Sequence, residues 1–250
     1  MIVEQTLANL RSLKLRSMAA VYDQQLGAPS AQALSFDDRL GVMVDAELNA
    51  KNDRKLQRLI KEASLPEVVL LEDLSFSNSN GLDAALIHSL ATGDWVRRGL
   101  NVVLSGPTGS GKTWTISSLG TQSCRQGFSV LYLSAGDLYD LLKRAEADGS
   151  WPKVKRRLIG YSVLIIDDFG MAPIPAEHGH VLLDIIDKRH RSGSLVIASQ
   201  FPVSKWHSFF PDPTMADAVL DRIVHQAHEI QLKGESLRKL QGKNRPLRRS

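Results

Sequence analysis

The sequence predicts an α/β fold in which a parallel sheet is flanked by helices, behind a small all-α N-terminal region. Three observations carry that expectation. From about residue 66 onward, short apolar runs of strand length alternate with helix-length stretches. One run, Tyr161-Ser162-Val163-Leu164-Ile165-Ile166, is nearly continuously apolar, as in a strand covered on both faces. Residues 1–65 carry helical spacing and no strand pattern.

In chain order, Leu7, Leu10, Met18, Val21 and Tyr22 recur at helical intervals, and Gly27-Ala28-Pro29 ends that helix. Ser35 reads as the N-cap of a second helix. Asp37 and Asp38 fall in its first turn, where carboxylates favour the positive end of the helix dipole. It runs through Leu40, Met43, Val44 and Leu48 to Leu56, Leu59 and Ile60, stopping before Pro66. Acids crowd its early half and bases its later half. Strands are then expected at 100–105, 128–133, 161–166, 194–199 and 229–232. Helices are expected after Gly111, from Ala135 to about Ala147, through Leu182 to Ile186, and over about 215–227. Right-handed crossovers make such a sheet parallel and doubly wound. The expected division is a helical domain over 1–65, an α/β domain over 66–232 and a basic tail over 233–250.

Composition narrows the class. The chain has 250 residues, 43% of them hydrophobic and 23% charged, enough apolar material for a sizeable core. The single cysteine, Cys124, excludes an internal disulfide and reads as a buried, inert thiol. No apolar stretch approaches the ~18 residues of a membrane span. The N-terminus lacks the basic start and apolar run of a signal peptide. A cytoplasmic location is therefore expected, with no membrane partner. The formal net charge of +4 permits contact with nucleic acid without requiring it.

The chemistry begins at Gly106-Pro107-Thr108-Gly109-Ser110-Gly111-Lys112-Thr113, a complete G-x-x-x-x-G-K-[ST] run between an expected strand and an expected helix. Its glycines allow backbone shapes that aim successive N–H groups at phosphate oxygens, and the helix adds its positive end. Lys112 would charge-pair the β- and γ-phosphates, and Thr113 would ligate Mg²⁺. The expected cofactors are ATP, or a close nucleoside triphosphate, and Mg²⁺. Some fifty residues downstream, Leu164-Ile165-Ile166-Asp167-Asp168 ends a buried strand. Asp167 would hold the metal through water, and Asp168 would orient or deprotonate the attacking water. Two acids ending a strand can instead cap a turn. The end of the fourth strand, Ser199-Gln200, supplies a candidate γ-phosphate sensor, with Gln200 the longer amide.

Two arginines are candidates at the site: Arg222, as a finger reaching a neighbouring subunit, and Arg238. A surface ion pair to Asp221 or Asp217 is the plainer reading of Arg222. Basic residues also cluster at Lys51, Arg54, Lys55, Arg58 and Lys61, at Lys153, Lys155, Arg156 and Arg157, and from Arg238 to Arg249. Arg54, Lys55, Arg58 and Lys61 share one helix face, and such a stripe can track a phosphate backbone. Each cluster alone fits a solvated face equally well; the three together favour nucleic acid.

Taken with Gly93-Asp94-Trp95-Val96-Arg97-Arg98, Asp167-Asp168-Phe169-Gly170, Asp221-Arg222-Ile223-Val224-His225 and Gly234-Glu235-Ser236-Leu237-Arg238, the chain resembles the IstB-like transposition helper ATPases. These are AAA+ proteins close to bacterial replicative helicase loaders. The resemblance implies an ATP-dependent homo-oligomer that assembles on duplex DNA, remodels it and recruits a partner transposase. It carries the family's nucleotide roles onto Lys112, Thr113, Asp167 and Asp168, its arginine finger onto Arg222 and its second sensing arginine onto Arg238. Gln200 departs from the asparagine usual in related loaders. Only 18 residues follow the last expected strand, too few for a full helical lid. A neighbouring subunit would then clamp the nucleotide. A helicase loader is the nearest alternative, though residues 1–65 hold no cysteine or histidine for a zinc domain. A small-molecule kinase would need an acceptor site and a lid, and neither is evident.

Overall fold

The computed structural model describes residues 2–74, 76, 81–190 and 192–233. The backbone falls into two compact units, Met1–Arg58 and Leu59–Ser250.

The first unit is helical throughout: α1 (Ile2–Ser12), α2 (Arg16–Gly27), α3 (Pro29–Gln32) and the first part of α4 (Phe36–Ala63). The single helix expected from Leu7 to Tyr22 is two. Lys14 takes a left-handed backbone, φ 62°, and breaks it between α1 and α2. Ser35 caps α4 as expected, its hydroxyl accepting the Asp38 N–H at 3.2 Å and donating to the Asp38 carboxylate at 2.6 Å. Leu15, at the cap position of α2, has no side-chain acceptor, and Glu47 takes that role from α4. Its Oε2 accepts the N–H groups of Ser17 and Met18 at 2.8 and 3.2 Å, and its Oε1 accepts Arg54 Nη2 at 3.1 Å. Burial pushes the Glu47 pKa up, but these donors, with Lys51 nearby, outweigh it and hold the carboxyl below its usual range.

The second unit continues through α5 (Ala84–Ala91), α6 (Asp94–Arg97), β1 (Asn101–Ser105), α7 (Lys112–Arg125) and β2 (Val130–Ser134). It goes on with α8 (Ala135–Ala147), α9 (Trp151–Gly160), β3 (Val163–Phe169), α10 (Ala176–Arg189), β4 (Ser194–Ser199), α11 (Pro213–Val224) and β5 (Ala227–Gln231). The five strands pair in the order β2-β3-β4-β1-β5, every pair parallel. Alternation then sorts the side chains. Val103, Leu131, Leu164, Ile166, Leu195 and Ile197 face a core completed by Leu138, Leu142, Leu158, Leu182, Ile185, Val219 and Ile223. The other face meets α7, where a Cβ on Gly120 would lie 3.0 Å from the Ile165 side chain.

Helix α9 is an addition to the expected elements; its segment reads from sequence only as a basic cluster. Ser150-Trp151-Pro152 starts it, with proline in the first turn where the missing N–H has no intrahelical partner to lose. Arg189 ties its C-terminal end to the sheet. This side chain is 1% exposed and donates to the carbonyls of Leu158, Ile159, Tyr161 and Ser194 at 2.7, 3.2, 2.8 and 2.7 Å. Burial lowers its pKa to about 10.

Candidate nucleotide-binding site

In a parallel sheet, the loops that follow the strands emerge on one edge. Because β4 lies between β1 and β3, that edge carries the glycine-rich loop, Gln200 and the two acids in spatial order. The loop base is pinned. Gly106 N–H donates to the Ser199 carbonyl at 3.2 Å, and Leu232 N–H to the Ser105 carbonyl at 2.8 Å. A Cβ on Gly106 would stand 2.7 Å from the Leu232 carbonyl oxygen, so glycine is required there. Gly111, φ 94°, turns the chain into α7 in a conformation that side chains resist. The first-turn N–H groups of α7 are therefore left facing the loop.

Lys112 is 6% exposed, and its ammonium donates to the Gly106 and Pro107 carbonyls at 2.8 and 3.0 Å. Burial pulls its pKa down, while the negative Asp167 and Asp168 pull it up. A buried ammonium held by carbonyl dipoles is suited to exchange them for phosphate oxygens. Ser110 Oγ is buried and has no partner among the described residues, a second polar atom fitted to a ligand.

Asp167 is 1% exposed and well supplied with donors. Its Oδ2 accepts the Thr113 hydroxyl at 2.7 Å and the Tyr132 hydroxyl at 3.0 Å, and its Oδ1 accepts the Asp168 N–H at 2.8 Å. The β3–β4 register shifts between Ile166 and Phe169, and inside that bulge Asp168 adopts φ 55°. The bulge releases Asp168 from strand alternation and leaves it exposed beside buried Asp167. Thr113 and Asp167 are hard oxygen donors, as Mg²⁺ prefers. Among the described residues, no three His, Cys, Asp or Glu side chains are grouped to hold a metal.

The loop and the fourth strand also meet. Thr108 Oγ1 donates to Gln200 Oε1 at 2.7 Å, so Gln200 stands at the phosphate loop. The Ser199 hydroxyl is committed elsewhere, donating to the Phe169 carbonyl at 2.7 Å.

Arg222 lies at the other end of the sheet. Asn101, the first residue of β1, donates to the Arg222 and Ile223 carbonyls at 3.2 and 3.0 Å, whereas the loop follows the last residue of β1. A strand of that length separates the two ends by roughly 13 Å. The Arg222 guanidinium pairs through Nε with Asp187 at 2.6 Å, rather than with Asp221 or Asp217. Arg238, the tail cluster and Gly234 to Leu237 lie outside the described residues.

Of the basic candidates, Lys51, Arg54, Lys55, Arg58 and Lys61 are exposed on α4, and Lys153, Arg156 and Arg157 on α9. Arg54 is engaged with Glu47. Lys155 is drawn to α10, where it pairs with Asp184, and it lies over the Trp151 ring at 5.8 Å. Sequence reasoning missed Tyr132. It reads as one apolar member of a strand, and only the β2–β3 register places its hydroxyl at Asp167. Burial, then the charge of Asp167, pushes its pKa above the ordinary range, so it remains a donor.

A strand, a glycine-rich loop, a helix and paired acids ending β3, one strand removed across β4, define a nucleotide-binding site of P-loop type. The chain belongs to the IstB-like ATP binding protein family, whose model matches residues 8–245. It is 38% identical over 241 residues to a protein of Sinorhizobium fredii named as an insertion sequence ATP-binding protein, covering 96% of this chain and 98% of that one. It is 43% identical over 205 residues to the ATP-binding protein of insertion sequence IS1162 from Pseudomonas fluorescens, covering 82% and 89%. In fold it is similar to the crystal structure of the DnaC helicase loader, with TM-score 0.57 and 16% identity over 66% of this chain and 97% of that one. Among the described residues, no helix is long and apolar enough to cross a membrane.

Proposed function

We propose that this protein is a Mg²⁺-dependent ATPase that assembles as a homo-oligomer on duplex DNA and recruits a partner transposase. The observation that carries hydrolysis, beyond binding, is Asp168. A carboxylate is held exposed by a bulge, next to a buried carboxylate already bonded to the loop threonine. Lys112 and the N–H groups at the start of α7 would hold the β- and γ-phosphates. Thr113 and Asp167 would hold Mg²⁺, which when bound neutralises charge on the phosphate oxygens. Asp168 would orient the attacking water and take its proton. Gln200, bonded to Thr108, would contact the γ-phosphate from β4.

Arg222 supports assembly. It lies at the far end of its own sheet, so the phosphates it could serve belong to a second copy of this chain. Such an arginine contributes about a thousandfold or more to turnover. The exposed bases of α4 and α9 would follow the DNA backbone, and the names of the relatives motivate the link to transposition. Arg238 is retained as a second sensing arginine on the resemblance alone.

Phosphate release with and without duplex DNA tests this reading, together with sedimentation in ATP. DNA-stimulated turnover that Lys112→Ala abolishes is expected, with sedimentation as an oligomer. A chain that stays monomeric at micromolar concentration with ATP and DNA overturns the assembly model. Capture of a replicative helicase in place of transposase would transfer the core to a loader role.

A further inference from the structure

At the acidic end of the site stands Tyr132, a side chain that neither the loop motif nor the paired acids account for. It lies on β2, opposite Ile165 of β3 in the parallel register, two positions before the Ser134–Asp167 pair. Side chains in register share a face, so Tyr132 lies on the α7 side of the sheet with Ile165 and Asp167. Its hydroxyl donates to Asp167 Oδ2 at 3.0 Å, the same oxygen that accepts Thr113 Oγ1 at 2.7 Å. The other oxygen, Oδ1, accepts the Asp168 N–H at 2.8 Å.

These donors do different work. The Asp168 N–H comes from the strained bulge and sets the height of the carboxylate along β3. Thr113 connects the carboxylate to the loop and is itself a candidate metal ligand, so its geometry must accommodate the metal. Tyr132 comes from an adjacent strand, and its rigid ring fixes the hydroxyl in space. It is the donor able to hold Asp167 in one orientation whether or not Thr113 is engaged.

We infer that Tyr132 is a positioning residue for the Mg²⁺ site: its hydroxyl preorients Asp167, so that the carboxylate and Thr113 together favour the Mg²⁺-bound nucleotide over the free nucleotide. The inference rests on the proposed ATP site and deepens it. Partners that orient a metal-binding carboxylate typically contribute about ten- to hundredfold in metal affinity.

The test measures binding, not turnover. A fluorescent ATP analogue is titrated against the full chain in excess EDTA and across a Mg²⁺ series, for the parent, Tyr132→Phe, Tyr139→Phe and Lys112→Ala. Tyr139 is the control, since its hydroxyl is buried on α8 without a partner among the described residues. Tyr132→Phe is expected to bind nucleotide like the parent in EDTA and to need about tenfold more Mg²⁺ to reach the tight state. Tyr139→Phe is expected to match the parent in both. A Tyr132→Phe variant with unchanged or tighter Mg²⁺ dependence overturns the inference. So does one that weakens binding equally with and without Mg²⁺, because that marks a merely structural ring. Melting curves accompany each variant. Should Tyr132→Phe melt far below the parent, the structural role stands instead. Lys112→Ala separates the levels: if it binds nucleotide like the parent, the ATP-site reading fails as a whole.

Discussion

Replacing Asp168 by asparagine, alanine and glycine separates its chemistry from its backbone. At φ 55° an L-residue sits where Cβ crowds the following carbonyl, a conformation costing about 1–2 kcal/mol. Aspartate and asparagine are tolerated there because their short polar side chains bond locally, and glycine has no Cβ to clash. Alanine has neither remedy. The alanine and glycine variants both lack the carboxylate, so their difference isolates backbone strain. Alanine is expected to be about 1 kcal/mol less stable than glycine, even after glycine's larger unfolded-state entropy is counted. For a domain of this size, that is a melting difference of about 2–4 °C. Asp168→Asn should melt close to the parent. Hydrolysis should respond differently. All three variants lose the proton acceptor and should release phosphate about a hundredfold or more slowly, while still binding nucleotide through Lys112 and Thr113. Differential scanning calorimetry and a phosphate-release assay on the same preparations give both quantities. Asparagine turning over at the parental rate would refute the catalytic role, and alanine melting with or above glycine would refute the strain.

Three further outcomes follow from the geometry. Arg189→Met should destabilise the α/β unit by about 3 kcal/mol or more in urea denaturation, because it strands buried carbonyls at the ends of α9, β3 and β4; a smaller loss would show that water replaces the guanidinium. Glu47 has a depressed pKa in the fold, so its contribution is fully present above the unfolded carboxylate value near 4.5 and is lost as pH falls through the lower folded value. Helicity of the N-terminal unit followed by circular dichroism should therefore decline on that acid side, and Glu47→Gln should flatten the decline while lowering stability at neutral pH. Removing Arg156 and Arg157 together should weaken DNA binding and flatten its salt dependence by roughly one unit of slope for each phosphate no longer neutralised. Lys155→Ala, which breaks an ion pair with Asp184, should leave that slope unchanged; equal slopes for both variants would mean that α9 does not touch the backbone.

Much of this was legible in the linear pattern, because local rules govern it. Ser35 had to cap a helix that opens with Asp37 and Asp38. The continuous apolar run ending at Ile166 had to be a covered strand, and the limits expected for α8 and β4 match the structure. The loop from Gly106 to Thr113 declared itself because phosphate binding needs glycine, lysine and hydroxyl at fixed spacing along a single segment. Helix α9 escaped although Trp151, Val154, Leu158 and Ile159 recur at helical spacing and pack on the core, because the bases from Lys153 to Arg157 dominate that short segment. The break at Lys14 escaped because a single left-handed residue leaves no periodic trace.

The sequence by itself determined which groups could meet a triphosphate. Only the tertiary structure decided which groups stand together. The strand order brings Gln200 to Thr108 and Tyr132 to Asp167, and it sends Arg222 to the opposite end of the sheet, beside Asp187. The physical reason is that strand order and register are properties of the whole packed sheet. A side chain's neighbours across strands follow from how the α8–α11 layer and α7 cover its two faces, and no single segment encodes that. The phosphate loop is written in eight consecutive residues; the positioning of its metal-binding partner is written in the pairing of β2 with β3.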